Sequence, residues 1–204
     1  MIFGFSITDL VILIVSMLIA MTVHEAVHAY VGYALGDTTA AEQGRISLNP
    51  LRHIDPVMTV LLPVITLVWL HAPVLAARPV PFNPDRVKFG EFGAALIALA
   101  GPLSNLVLAV LGAVIFRTVA VSDVMANALF IFVSLNVSLF IFNLVPIPPL
   151  DGSRVLYAFA PEAVQGFMRQ IESMGLFLIF ALVLLGGFGG VLTNINSFVL
   201  NTLL

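Results

Sequence analysis

Cysteine is absent from this 204-residue chain. No disulfide can staple the fold, and any metal site must be built from His, Asp or Glu. Charge is nearly as scarce. Charged residues make up 9% of the chain and hydrophobic residues 60%, whereas a soluble domain carries about 25% charged residues. So few charges cannot coat a water-facing surface of this size, so a bilayer must solvate much of it. The basic side is the poorer one: 8 Lys and Arg against 11 Asp and Glu leave a net charge of −3. That argues against a nucleic-acid partner, which needs a basic patch. The N-terminus lacks a basic leader region and a small-residue cleavage site, its first charge being Asp9. The first apolar stretch therefore reads as a retained span and not as a signal peptide.

What the chain does have is long apolar runs. A hydrocarbon core about 30 Å thick needs roughly 20 apolar residues in a helix. Stretches 7–34, 92–116, 125–147 and 174–200 meet that length. A further stretch, 57–77, is apolar but broken by Pro63, His71 and Pro73. If it dips in and returns to the same face, seven of the eight basic residues fall on one side, with Arg117 alone on the other. The bias of Lys and Arg towards the cytoplasm favours that hairpin over a fifth crossing. The run Gly44-Arg45-Ile46-Ser47-Leu48-Asn49-Pro50 predicts a short interfacial strand closed by Asn-Pro. The expected fold is an all-α polytopic membrane protein, residues 1–204 forming one domain. It has four transmembrane helices, a re-entrant or fifth hydrophobic segment, and one short β element.

Chemistry concentrates in the first span. His24 and His28 stand four residues apart in His24-Glu25-Ala26-Val27-His28. On a helix that spacing stacks both imidazoles on one face. Two imidazoles so placed can hold one zinc ion, while Glu25 can take a proton from a zinc-bound water without being a ligand. The pattern alone arises by chance in many proteins. Inside a span, however, each ionisable side chain costs roughly 2.5–3.5 kcal/mol or more, so three in one turn point to a bound partner. A third ligand is needed, with an open position for water. Asp151 is the candidate, because Pro146, Pro148 and Pro149 break the helix just before it. Asn143 lies in the third span, where an unpaired amide is costly, so it either bonds another helix or faces the site. Gly101-Pro102-Leu103-Ser104-Asn105 opens the second span; its small residues suit close helix packing, and Asn105 could also form a polar wall to the site. His53 and His71 read as interfacial polar residues, and the 16 Phe as lipid-facing or packing groups.

Four pieces in order carry a resemblance: His24 through His28, Arg78-Pro79-Val80-Pro81-Phe82-Asn83-Pro84, Gly101 through Asn105, and Asn143 through Gly152. Across about residues 20–155 the chain resembles the site-2 protease family of intramembrane zinc metalloproteases, peptidase family M50. It is most similar to the small prokaryotic branch without PDZ or CBS domains. The first and last pieces together carry the specificity; the glycine-proline motif is supportive. The resemblance implies one Zn2+ per chain, held by His24, His28 and Asp151, with Glu25 as general base. It implies that Asn143, eight residues before Asp151, binds substrate or stabilises the oxyanion. It also implies hydrolysis of peptide bonds in transmembrane segments of other membrane proteins, in a multi-pass cell-membrane protein. The positive-inside topology places the site nearer the cytoplasmic side. The rival readings are a non-catalytic membrane metal-binding or transport protein and a catalytically dead scaffold. The partners expected are transmembrane protein substrates and the lipid bilayer, with a homo-oligomer left open.

Overall fold

The computed structural model describes residues 6–53 and 80–172, scattered positions between 174 and 181, and residues 187–204. Among these every regular element is a helix. Helix α1 runs Ile7–Ala34, α2 Thr39–Glu42, α3 Glu91–Thr118, α4 Asp123–Asn143, α5 Asp151–Phe159, α6 Glu162–Glu172 and α7 Gly187–Leu203. Three of them, α1, α3 and α4, are long and apolar enough to cross a membrane. The expected fourth span, 174–200, is represented by the 17-residue α7, and the 57–77 stretch lies outside the described residues. The expected strand over 44–50 is not formed: no described residue is in a strand. Local bonds hold that segment in bends instead. The Arg45 amide donates to the Ala40 carbonyl, the Asn49 amide to Ser47 Oγ, and the Leu51 amide to Asn49 Oδ1. A lone extended run with no described neighbour in register cannot build a ladder.

Helix α3 is the hub and packs against α1, α4 and α5. Its inner face is nearly all small: Gly93, Ala94, Ala98, Gly101, Ala109 and Ala113 are buried. Small residues let helix backbones approach closely where lipid supplies no hydrophobic drive between helices. Ala109 and Ala113 meet Val133 and Val137 of α4 in the core. The outer faces are the reverse. Val11, Ile14, Val107, Leu111, Val114 and Phe130 are exposed, a distribution that suits lipid and would be an aggregation hazard in water.

Local signals fix where the helices begin. Ser6 and Asp9 form a reciprocal capping box at the start of α1, and Ser122 Oγ accepts the Met125 amide at the start of α4. Asn127 Nδ2 then donates to Asp9 Oδ1 at 2.6 Å, so α1 and α4 start at the same end. The Lys88 amide donates to the Leu35 carbonyl at 2.8 Å, so α3 starts where α1 stops and runs back against it. The end shared by the α1 and α4 C-termini and the α3 N-terminus therefore receives α5.

That end is tied by Asp37, a buried carboxylate just past α1. It accepts the Thr39 hydroxyl and amide and, at 2.7 Å, the amide of Asn83 in the proline-rich loop before α3. Burial pushes its carboxyl up, but the Thr39 and Asn83 hydrogen bonds and the Arg86 charge outweigh this and hold it below its ordinary value of 3.8. A depressed pKa stabilises the fold at and above that ordinary value, and the stabilisation is lost as the pH falls through the folded-state pKa. Asp37→Ala should therefore lower the melting temperature in detergent at pH 7, at a cost of about 1–3 kcal/mol for each buried donor left bare. The gap between wild type and variant should narrow as the pH falls through the folded-state pKa, which lies below 3.8. A gap that stays equal throughout acid titration would show that the charge has no part in the tie.

Candidate metal centre

Residues 24, 25 and 28 sit in the second half of α1, and all three side chains are buried. Spacing alone puts His24 and His28 on one face; α3 turns both rings to a common point. Pro102 lies inside α3, and the Ile97 carbonyl, five residues before it, lies 2.7 Å from His28 Nδ1. One turn beyond Pro102, Asn105 Oδ1 lies 2.7 Å from His24 Nδ1. A carbonyl can only accept, so His28 Nδ1 carries the proton and its Nε2 keeps a lone pair. The two Nε2 atoms are 3.0 Å apart.

Asp151 arrives from the other side as the first residue of α5. The break before it, residues 144–150, follows from its prolines. Gly152 then lets the turn fold back on itself: a Cβ there would lie 2.2 Å from the Leu144 carbonyl oxygen. Asp151 Oδ2 reaches 3.2 Å from His24 Nε2 and 3.3 Å from His28 Nε2. This oxygen is buried and has no hydrogen-bond donor. With both rings neutral and protonated on Nδ1, three electron pairs face one another here, which is unfavourable unless a cation lies among them. Four-coordinate zinc with ligand distances of about 2.0–2.2 Å spaces its ligands roughly 3.3–3.6 Å apart, close to the separations seen. Among the described residues these three form the one His/Asp/Glu group able to hold a metal ion, and the residues fit zinc.

Room for an ion at this point depends on Gly101. A Cβ there would lie 2.2 Å from His28 Nε2 and 2.7 Å from His24 Nε2. The glycine of the Gly-Pro motif is thus needed for the approach of α3 to the histidines, a role that sequence reading assigned only to helix packing. Glu25 projects beside the cluster. Its Oε2 accepts the Val80 amide at 3.0 Å, a contact that no sequence motif announced, because it joins α1 to a loop 55 residues away. Phe82 of the same loop lies under the Arg154 guanidinium of α5, so residues 80–83 bridge the two walls of the site.

Not every expected residue converges. Asn143 closes α4, and its Nδ2 donates back to the Leu139 carbonyl at 3.0 Å; among the described residues no hydrogen bond joins it to His24, Glu25, His28 or Asp151. Asn105 is fully buried and on His24. His53 is buried, with Nε2 on the Ser47 carbonyl, and stands outside the ligand group; His71 lies outside the described residues.

A family profile described as Peptidase family M50 matches residues 117–186. The chain is 38% identical over 177 residues to a Bacillus subtilis protein named "Putative zinc metalloprotease YwhC", covering 82% of this chain and 77% of that protein. It is 28% identical over 184 residues to "Putative zinc metalloprotease Rip2" of Mycolicibacterium smegmatis, covering 85% of this chain and 67% of that one. A Mycobacterium tuberculosis protein of the same name is 28% identical over 179 residues, covering 85% and 66%. No solved structure matches the chain.

Gly101→Ala is expected to displace both rings and to strip the protein of its metal, read as zinc per chain by mass spectrometry after purification. A wild-type zinc content in that variant would place the ion elsewhere. Asp151→Ala should lower the same stoichiometry while leaving the helices assembled.

Proposed function

The chain belongs to peptidase family M50, and from that premise we propose that it is an intramembrane zinc endopeptidase. Its substrates are peptide bonds within the transmembrane segments of other proteins. The observation that carries this reading is the convergence of His24, His28 and Asp151 on one point with Glu25 beside it. A bound zinc would supply a Lewis acid for the scissile carbonyl and lower the pKa of a water from about 15.7 towards 7. The residues of this chain do the rest. Glu25 is the general base: it accepts the proton of the attacking water and passes it to the leaving amine. The Val80 amide holds Oε2 and leaves Oε1 to face the water. Asn143 acts on substrate or on the developing oxyanion. Its amide nitrogen has two hydrogens, one on the Leu139 carbonyl, which leaves the second for a substrate oxygen.

The setting supports a substrate taken from the bilayer. The ligands lie on α1 and just beyond α4, two helices apolar enough to span. A helical substrate hides its carbonyls in its own hydrogen bonds, so it must unwind locally before the scissile bond can reach Glu25. Every described basic residue except Arg117 follows α1, precedes α3 or follows α4, at the end where the site lies. By the positive-inside rule that end is cytoplasmic, so the proposed enzyme cuts nearer the cytoplasmic face. A metal transporter would use the same histidines but needs further ligands along a path. Asn105 of α3 and Asn136 of α4 are bonded to each other instead.

Glu25→Gln should keep zinc at wild-type stoichiometry and abolish peptide-bond cleavage of a transmembrane substrate in detergent, as a chelator should in the wild type. Cleavage at the normal rate by Glu25→Gln would remove Glu25 as the base. Chelator-resistant cleavage would remove the metal from the reaction.

A further inference from the structure

Behind His24 lies a chain of side-chain amides that reaches into α4. Asn105 and Asn136 are both fully buried, each inside a helix read as spanning. Asn136 Nδ2 lies 2.9 Å from the Phe132 carbonyl of its own helix. Asn105 Nδ2 lies 3.0 Å from Asn136 Oδ1 and 3.3 Å from the Ala20 carbonyl of α1. Asn105 Oδ1 then meets His24 Nδ1 at 2.7 Å.

The direction of this chain is forced from its far end. A backbone carbonyl only accepts, so the Phe132 oxygen requires the NH2 end of Asn136, and Asn136 must turn its oxygen to Asn105. That oxygen and the Ala20 carbonyl both require the NH2 end of Asn105, which leaves only its oxygen for His24. An oxygen facing Nδ1 requires a proton on Nδ1, and the lone pair then stands on Nε2, the atom aimed at Asp151. If Asn105 were flipped, Nδ1 would face a donor, and the proton would be driven to Nε2, where it blocks a metal; of the two acceptors that hold its NH2 end, Asn136 Oδ1 is the nearer, at 3.0 Å against 3.3 Å for the Ala20 carbonyl.

We propose that Asn136 is a positioning residue that sets the tautomer of His24 through Asn105, and thereby makes His24 competent to bind zinc. It touches neither metal nor substrate. His28 needs no such relay, because the Ile97 carbonyl fixes it directly; of the two histidines only His24 depends on a side chain that could turn either way. The inference rests on the metal-centre reading above. A plain helix-to-helix tie between α3 and α4 is the competing account of the same bonds.

The test uses full-length protein in detergent with 15N-labelled histidine; with four histidines in the chain, each ring is resolvable. In metal-free wild type, His24 should show the Nδ1–H tautomer. In Asn136→Leu its signal should move to mixed tautomers while that of His28 stays. Zinc affinity by chelator competition should fall about 10–100-fold, the range for loss of a group that orients a ligand. Asn136→Ala, which adds no bulk, carries the same expectation if leucine does not fit. Asn136→Asp should restore both readouts, because a protonated acid in this dry site donates to Phe132 and accepts from Asn105 as the amide does. A mere helix tie would lower the melting temperature and leave tautomer and affinity unchanged, which overturns the proposal. So would an Nε2–H tautomer at His24 in the unsubstituted protein. A tautomer shift in a protein that binds no zinc at all would instead keep the relay and reject the metal centre.

Discussion

The close approach of α3 to α1 at Gly101 is the constraint on which the rest of the site depends. Two imidazole nitrogens and a carboxylate oxygen are held within 3.0 to 3.3 Å of one another, in a part of the chain where water cannot screen them. Such an arrangement is unfavourable without a cation and strongly favourable with one. Keeping it requires that the rings cannot relax away. The Ile97 carbonyl and Asn105 hold their far sides, and the missing side chain at residue 101 lets the backbone of α3 come near enough to do so.

Two proline-broken segments complete the site from opposite directions. One ends α4 and turns Asp151 back towards α1, with Gly152 packed on the Leu144 carbonyl. The other, residues 80–83, is stretched between Asp37 and Glu25. Both need irregular backbone next to apolar helices, and such backbone is tolerated only where protein or a cavity covers it. The same polar backbone that would be costly in lipid here serves as donor and acceptor. The Val80 amide holds the Glu25 carboxylate, and the Asn83 amide is itself held by Asp37. Rigid helices supply the ligands, and extended loops supply the adjustment around them.

How far this was legible varies by residue. The two histidines and Glu25 were readable because helical periodicity is fixed and a polar turn in a span is rare. Asp151 was readable because prolines next to a carboxylate at the end of a span leave few other purposes. The strand at 44–50 misled: β-rich composition is a statement about pairing, and no described neighbour pairs with it. Within the Gly-Pro motif Asn105 was offered as a polar wall and stands on His24, but Gly101 suggested only packing, since a sequence shows that a residue is small but not which atom needs the space. Val80 and Asn136 gave no signal at all, one acting through its main chain and the other through a second amide.

By itself, the sequence pointed to a bilayer as the solvent of this protein, to the elements that carry its polar cluster and to the residues proposed as ligands. Those follow from charge scarcity, from run length and from residue type at helical spacing, all of which are local. Only the tertiary structure decided that the three ligands share one point, which amide faces which ring, and that a loop amide holds the glutamate. These are distances between segments up to 127 residues apart in the chain, from His24 to Asp151. They are set by how closely helices can pack and by which end of each buried amide an obligate acceptor demands.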